Sequence, residues 1–455
     1  MLEDTIIAIS TPFGFGGIGV VRLSGKESLK IATNIFKPKN KNESIQPRKV
    51  LLGTIYNPIN KESFEEAFLT YFPSPNSYTT EEMIEISCHG SPVILEEIVR
   101  LSINEGARHA KPGEFTLRAY LNGRIDIIQA EAVNDLIRAS SLQQAKISYN
   151  QMSGVLSKKI KTLRNKLINI LSEIEARLEF PDENLDLPVT TVLNSLENTI
   201  ETVKKFIKSY DFGKSLSEGF KIAIVGKTNV GKSTLFNTLL ESERAIVTPY
   251  PGTTRDYLSE KIKIKDSIFT LLDMAGRRKP RHPIEKEGIK RSEELAQKAD
   301  GILLVFDRSR RKDEEDGELL KKYKTKKTIL VFNKSDLPQK MNIKNIISSA
   351  PNLPFIEVSA LKKTNIQELK KTIYSEFIKT EKAEQEIILH LHQKLLLEDI
   401  LKALKSGREK LQKGFPDEIY AEEIRKSIPL LNQMTGEIRS DDIINTIFKR
   451  FCIGK

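Results

Sequence analysis

Two cysteines in 455 residues, with no apolar h-region of a secretory leader, point away from a disulfide framework and towards a reducing, cytoplasmic setting. No apolar run reaches the ~20 residues that a membrane-spanning helix needs, so a soluble chain without a membrane partner is expected. Apolar residues make up only 39% of the chain, yet they fall in regular segments, which argues for folded domains. Nothing repeats internally. At this length two to four domains are expected. Charge is not scarce, but acid is outnumbered: 61 Asp and Glu against 72 Lys and Arg leave a net +11. That excess permits a polyanionic partner such as RNA, and a lysine-rich composition accounts for it equally well.

What the chain does possess is a phosphate-binding loop. The β-branched run 220–225 ends at Gly226 and passes through Asn229, Val230, Gly231, Lys232 and Ser233 into a helix-compatible segment beginning at Thr234. The spacing is G-x-x-x-x-G-K-S. Its glycines let backbone N–H groups converge on one concavity, and the following helix adds the positive end of its dipole. Lys232 supplies a point charge for the outer phosphates, and the Ser233 hydroxyl is placed to ligate Mg²⁺.

Further elements follow at strand ends. Asp273-Met274-Ala275-Gly276 offers a carboxylate for the Mg²⁺ water shell and a glycine N–H for a γ-phosphate. In Asn333-Lys334-Ser335-Asp336, the last carboxylate can accept both N1–H and the exocyclic amine of guanine, a pair adenine lacks. GTP is therefore expected ahead of ATP. Ser359-Ala360-Leu361 would give backbone donors to the guanine O6. In the segment 248–256 a threonine hydroxyl would complete the Mg²⁺ shell once γ-phosphate is bound, with Thr254 the first choice and Thr253 the second. Arg277 stands where Ras-type proteins carry a water-orienting glutamine, so water must be activated otherwise.

Around this core the pattern predicts a multidomain chain: an N-terminal α+β domain, an all-α helical domain, and a P-loop α/β G domain inserted into the helical one. The expected boundaries are 1–118, 119–214, 215–379 and 380–455, with 211–218 read as the linker into the G domain. Strands are expected at 5–10, 18–24, 49–56, 65–72 and 82–88, and a helix at 92–104. Gly14 to Gly19 matches G-x-G-x-x-G, but a β-branched strand follows instead of a helix, so strand–turn–strand is predicted. G-domain strands are expected at 220–226, 257–264, 267–273, 301–306, 328–333 and 355–358, then helices at 365–379, 386–412, 416–432 and 440–450. The strings 76–90 and 112–124 are dense in polar groups, and spacing alone reads them as turn chemistry or surface decoration. Cys88-His89 is half a metal-ligand set and reads as structural. The lysines at 158, 159, 161 and 166 read as a solvated helix face.

Together the strings IGVVRLSG, SYTTEEMIEISCHG, PGEFTLRAYLNGR, GKTNVGKST, PGTTRD and the terminal CIGK resemble the MnmE family, the bacterial tRNA-modification GTPases also called TrmE. The resemblance runs end to end. It implies a homodimer built through the N-terminal domain, and a heterotetramer with a flavin-dependent partner, MnmG (GidA). That complex would modify C5 of the wobble uridine of tRNA. It implies 5-formyl-tetrahydrofolate held by Arg22, Glu85, Arg124 and Lys455, and K⁺ held by Asn229, Thr248, Tyr250 and Thr253. It makes Glu285, twelve residues after Asp273, the water-orienting group; the residue-level alternative is a carboxylate stabilised near a helix start. The chain departs from the family pattern at Arg124, Met274, Arg277 and Leu361, where lysine, threonine, leucine and lysine are usual. A regulatory or ribosome-assembly GTPase without modification activity is the alternative function.

Overall fold

The computed structural model describes residues 4–179, 189–241, 259–273, 296–378, 387–437, 447, 448, 451 and 454. It divides into two units. One holds residues 1–134, 151–195 and 406–455, the other 135–150 and 196–405.

The first unit is built on a seven-stranded sheet in the order β3-β4-β5-β6-β2-β1-β7. Its strands are β1 (Ile6–Ile9), β2 (Gly16–Ser24), β3 (Phe36–Pro38), β4 (Val50–Tyr56), β5 (Ser63–Phe72), β6 (Met83–Gly90) and β7 (Arg108–His109). All neighbours are antiparallel except β1 and β7. Alternation decides the faces. Val21 and Leu23 of β2 join Ile84, Ile86 and Cys88 of β6 in the core, packed against helices α1 (Ser28–Ile35) and α2 (Pro92–Asn104). Arg22 and Glu85, one residue out of step, therefore stand on the other face, directly opposite each other in the ladder. Gly19 lets α2 approach closely, because a Cβ there would displace the end of the Leu95 side chain. The G-x-G-x-x-G string thus serves a turn and a close helix–strand contact. After α3 (Glu114–Leu121) come α4 (Ile127–Ile137), α5 (Leu142–Met152) and α6 (Val155–Glu179).

The second unit carries a six-stranded sheet, β13-β12-β11-β8-β10-β9. Its strands are β8 (Phe220–Val225), β9 (Ser259–Ile264), β10 (Ser267–Asp273), β11 (Gly301–Asp307), β12 (Thr328–Asn333) and β13 (Phe355–Glu357). Only β9 runs antiparallel. Strands β11 and β12 are buried at every position, as parallel strands covered on both faces must be. Ile222 and Ile224 face a core shared with α8 (Lys232–Glu241) and the helix Ile366–Phe377. Ala223 and Val225 face the core under the helices Glu314–Tyr323 and Ile343–Ser349. We label those three helices α11, α9 and α10. This is the three-layer α/β sandwich the sequence predicts.

Two expectations need correction. The stretch 211–218 is no linker: α7 runs unbroken from Val189 to Glu218. Gly213 lies under the backbone of Ile387 and Ile388, where a Cβ would collide with the Ile388 carbonyl oxygen, so it permits close packing rather than flexibility. The helix expected at 416–432 is two, α13 (Asp417–Arg425) and α14 (Ser427–Thr435), following α12 (Leu391–Gln412). Pro429 has no N–H for the Arg425 carbonyl and would clash with it, so the first helix stops and a new one starts. Sequence reading also passed over α1, β3 and β7. The helix expected at 440–450 lies outside the described residues except at 447 and 448.

Candidate functional site

The nucleotide site grows from the C-terminal ends of β8 and β12. Gly226, Asn229 and Gly231 take positive φ angles of 156°, 61° and 94°, which curl the loop back on itself before α8. A Cβ at Gly226 would strike the Val305 carbonyl oxygen, and one at Gly231 would strike Asn333 Nδ2. Asn333 is buried and works in two directions. Its Nδ2 donates to the Val230 carbonyl at 2.9 Å, and its Oδ1 accepts from the Ala360 N–H at 3.0 Å. One side chain thus ties the phosphate loop to the loop that would read the base. Lys232 Nζ donates to the carbonyls of Gly226 (2.8 Å) and Lys227 (2.6 Å), within the same loop. Ser233 and Thr234 open α8, where the unpaired N–H groups and the dipole favour an anion.

Asp336 Oδ1 accepts from the Ser359 hydroxyl at 2.6 Å. That hydrogen bond is the main reason its carboxyl lies below the usual carboxylate range, so Asp336 is an ionised acceptor at neutral pH. Of the expected O6 donors, the Ser359 N–H goes to the Thr364 carbonyl and the Ala360 N–H to Asn333 Oδ1, while the Leu361 N–H has no partner among the described residues. Sequence reading missed two neighbours, Asp307 and Lys227. Lys334, at φ 65°, donates to Asp307 Oδ2 at 2.6 Å. Burial would raise the Asp307 carboxyl, but Lys334 and Ser309 outweigh it and hold it low. Lys227 is paired with Asp313, the N-cap of α9, and with Glu315. The position of Asp307 at the end of a parallel strand, where such sheets bind ligands, was the available signal.

Asp273 closes β10. Thr248, Tyr250, Thr253, Thr254, Met274, Ala275, Gly276 and Glu285 lie outside the described residues. Among the described residues no cluster of three or more His, Cys, Asp and Glu could hold a metal ion. Burial, with Glu65 nearby, pushes the Cys88 thiol up to about 11, which keeps it an inert core group.

The first unit contains a cavity of about 870 Å³. Arg22, Glu85 and Arg124, drawn from β2, β6 and the turn after α3, all line it. Arg22 grips Glu85 Oε1 through Nε (2.9 Å) and Nη2 (2.7 Å). The ring of Tyr78 is near both arginines, 5.8 Å from the Arg22 guanidinium and 5.0 Å from that of Arg124. Arg124 Nη1 also donates to the Tyr78 carbonyl at 2.6 Å. Burial pushes the Tyr78 phenol up, and its hydroxyl shares a 2.9 Å hydrogen bond with Thr116.

Neither polar string is surface decoration: they interlock. Asn122 donates to the Thr79 carbonyl at 2.8 Å. Arg118, only 1% exposed, donates to Asp4, to Glu81 Oε2 at 2.9 Å and to Glu114 Oε1 at 3.2 Å. Burial would raise the Glu114 carboxyl, but Arg108 and the Lys111 N–H outweigh it and keep the group ionised. Breaking such a buried set by removing one member typically costs about 3–5 kcal/mol. Arg118 is therefore spent on fixing the loop that carries Tyr78. The C-terminal segment packs on the same unit: Phe448 and Phe451 abut Gly113, and the Gly454 carbonyl accepts from Ser10 Oγ at 3.3 Å. Ser10 follows β1, in which Ala8 is the ladder partner of Arg22. Lys455 itself lies outside the described residues.

Comparison with known proteins matches this arrangement. Residues 5–124 match the family described as the GTP-binding protein TrmE N-terminus, and residues 127–452 the MnmE helical domain. A tRNA modification GTPase MnmE from Thermotoga petrophila is 40% identical, covering 99% of this chain and 100% of its own. One from a Thermoanaerobacter species is 39% identical, with 100% of both chains covered. Among solved structures, Aquifex aeolicus Era bound to GDP.AlF4- is 31% identical over 40% of this chain and 66% of that one, at a TM-score of 0.29, too low to bear on the fold. The chain belongs to the MnmE (TrmE) family of tRNA modification GTPases and is a GTP hydrolase.

Proposed function

We propose that this GTPase works as a homodimer in the cytoplasm. With the flavin-dependent partner MnmG, it would add a carboxymethylaminomethyl group to C5 of the tRNA wobble uridine, drawing the one-carbon unit from 5-formyl-tetrahydrofolate. The observation that carries the reading is the convergence of Arg22, Glu85 and Arg124 on one cavity. Its volume suits a ligand of that size. A carboxylate on the sheet suits the donor edge of a pterin, and guanidiniums suit glutamate carboxylates. Gly454 docks beside β1 through Ser10 and Ile9, which is in keeping with a role for Lys455. Exposed Phe13 and Phe15, between β1 and β2, and Ile18, among the first turn-proximal residues of β2, favour self-association through this domain.

At the nucleotide site, Ser233 and Thr254 would ligate Mg²⁺, while Asn229 with Thr248, Tyr250 and Thr253 would hold K⁺. Such ions supply positive charge where it builds up between the phosphates. Of the K⁺ ligands only Asn229 is among the described residues, and its left-handed backbone turns it within the phosphate loop.

Calorimetry with the full chain tests the one-carbon site. Wild type should bind 5-formyl-tetrahydrofolate, and Glu85→Ala should weaken binding by about tenfold or more, as expected for loss of a charge-assisted hydrogen bond. Equal binding by both would remove Glu85 from the site.

A further inference from the structure

The cavity of the first unit holds a third guanidinium. Arg48 lines it together with Arg22 and Arg124, and no carboxylate lies within ion-pair reach of Arg48 or Arg124 among the described residues. Arg22 is different, because Glu85 neutralises it. Arg48 Nη2 donates to the Asn76 carbonyl at 3.3 Å, and Arg124 Nη1 to the Tyr78 carbonyl at 2.6 Å. Those acceptors are two residues apart in a bend, at most roughly 7 Å along the chain. Two cations are thus tethered to one short segment and open on the same space, and the one acid lining it, Glu85, is paired with Arg22. Like charges so placed repel unless an anion joins them.

The backbone adds a second observation. Arg48 has φ 58°, a left-handed conformation that a long side chain rarely adopts. Its N–H is fixed to the Tyr71 carbonyl at 2.7 Å, and the preceding Pro47 bridges to Tyr71. Conformations of this kind persist where the surroundings enforce them and cluster at binding sites. Position orders the three arginines: Arg22 is half-buried on the sheet, while Arg124 and Arg48 are exposed. A ligand whose donor edge meets Glu85 would therefore extend its acidic end outward, past Tyr78, between Arg124 and Arg48.

We propose that Arg48 and Arg124 form a polyanion subsite that takes a tail of several γ-linked glutamates, making Arg48 a specificity-determining residue for polyglutamylated one-carbon carriers. This rests on the folate reading of the cavity. Each added glutamate brings one more carboxylate, and a guanidinium can receive it bidentately.

The test is calorimetry on the full chain with 5-formyl-tetrahydrofolate as monoglutamate and as triglutamate. Wild type should bind the triglutamate about tenfold more tightly, with the advantage shrinking as salt rises. In Arg48→Gln that ratio should fall towards one, and Arg48→Lys, which keeps the charge, should restore most of it. A merely structural role would weaken both ligands alike and leave the ratio unchanged. Equal affinities in wild type, or an undiminished ratio in Arg48→Gln, would overturn the subsite while leaving the folate reading in place. If neither ligand binds wild type, the folate reading fails and the subsite falls with it.

Discussion

Asp336→Asn is expected to bind GTP roughly 10²–10³-fold more weakly and to accept xanthosine triphosphate in its place. The Asp336 carboxylate lies below the usual range because the Ser359 hydroxyl donates to it, so it would meet the base as an ionised acceptor. An amide offers one acceptor and one donor, and the donor would face the guanine amine. Xanthine carries an oxygen at that position, so the inverted pattern fits it. The fold should tolerate the change, since Asn333, which ties this loop to the phosphate loop, is untouched. A titration with fluorescent nucleotides measures both affinities. Unchanged GTP affinity in the variant would sink the assignment of base recognition to Asp336.

The second large effect concerns hydrolysis. Glu285→Ala should lower GTP turnover by about 10²–10⁴-fold, the range for a lost water-orienting or general-base group, while GTP affinity stays nearly intact. Glu285 lies outside the described residues, so this expectation stands on its spacing from Asp273 and on the family resemblance. The same reading expects turnover in the wild type to rise steeply with K⁺ but not with Na⁺, and with protein concentration as nucleotide domains meet. Single-turnover kinetics separate the chemical step from binding. Equal rates in K⁺ and Na⁺ at matched ionic strength would rule out the ion cage, and Arg255 and Arg277 would become the groups to mutate.

The nucleotide site was legible because its chemistry dictates residue identity at fixed spacing. A phosphate cradle calls for glycines at the spacing of Gly226 and Gly231, and guanine recognition would call for a carboxylate such as that of Asp336. The structure adds why those glycines cannot change, since Val305 and Asn333 crowd them. Sheet strands were legible from alternation, which also set Arg22 and Glu85 on the face away from the core. What sequence could not supply were long-range contacts. Helix α7 continues through Gly213, Ser215 and Ser217 because Ile387 and Ile388 pack on Gly213, and Ser209 Oγ accepts from the Ile388 N–H. Strands of two or three residues, such as β7 and β3, exist only through pairing with partners far along the chain. The strings 76–90 and 112–124 looked separable because neither shows that Arg118, Asn122 and Arg124 reach back to Glu81, Thr79 and Tyr78.

The central claim is that GTP hydrolysis by this chain drives modification of tRNA. It is tested most directly by mass spectrometry of the wobble nucleoside after incubating tRNA with the chain, MnmG, a reduced flavin supply, the one-carbon donor, glycine as the source of the carboxymethylamino group, and either GTP or xanthosine triphosphate. The account predicts a C5-modified uridine with GTP and the wild-type chain. With Asp336→Asn that product should vanish with GTP and return with xanthosine triphosphate. GTP consumed at full rate with the wobble uridine unmodified would contradict it.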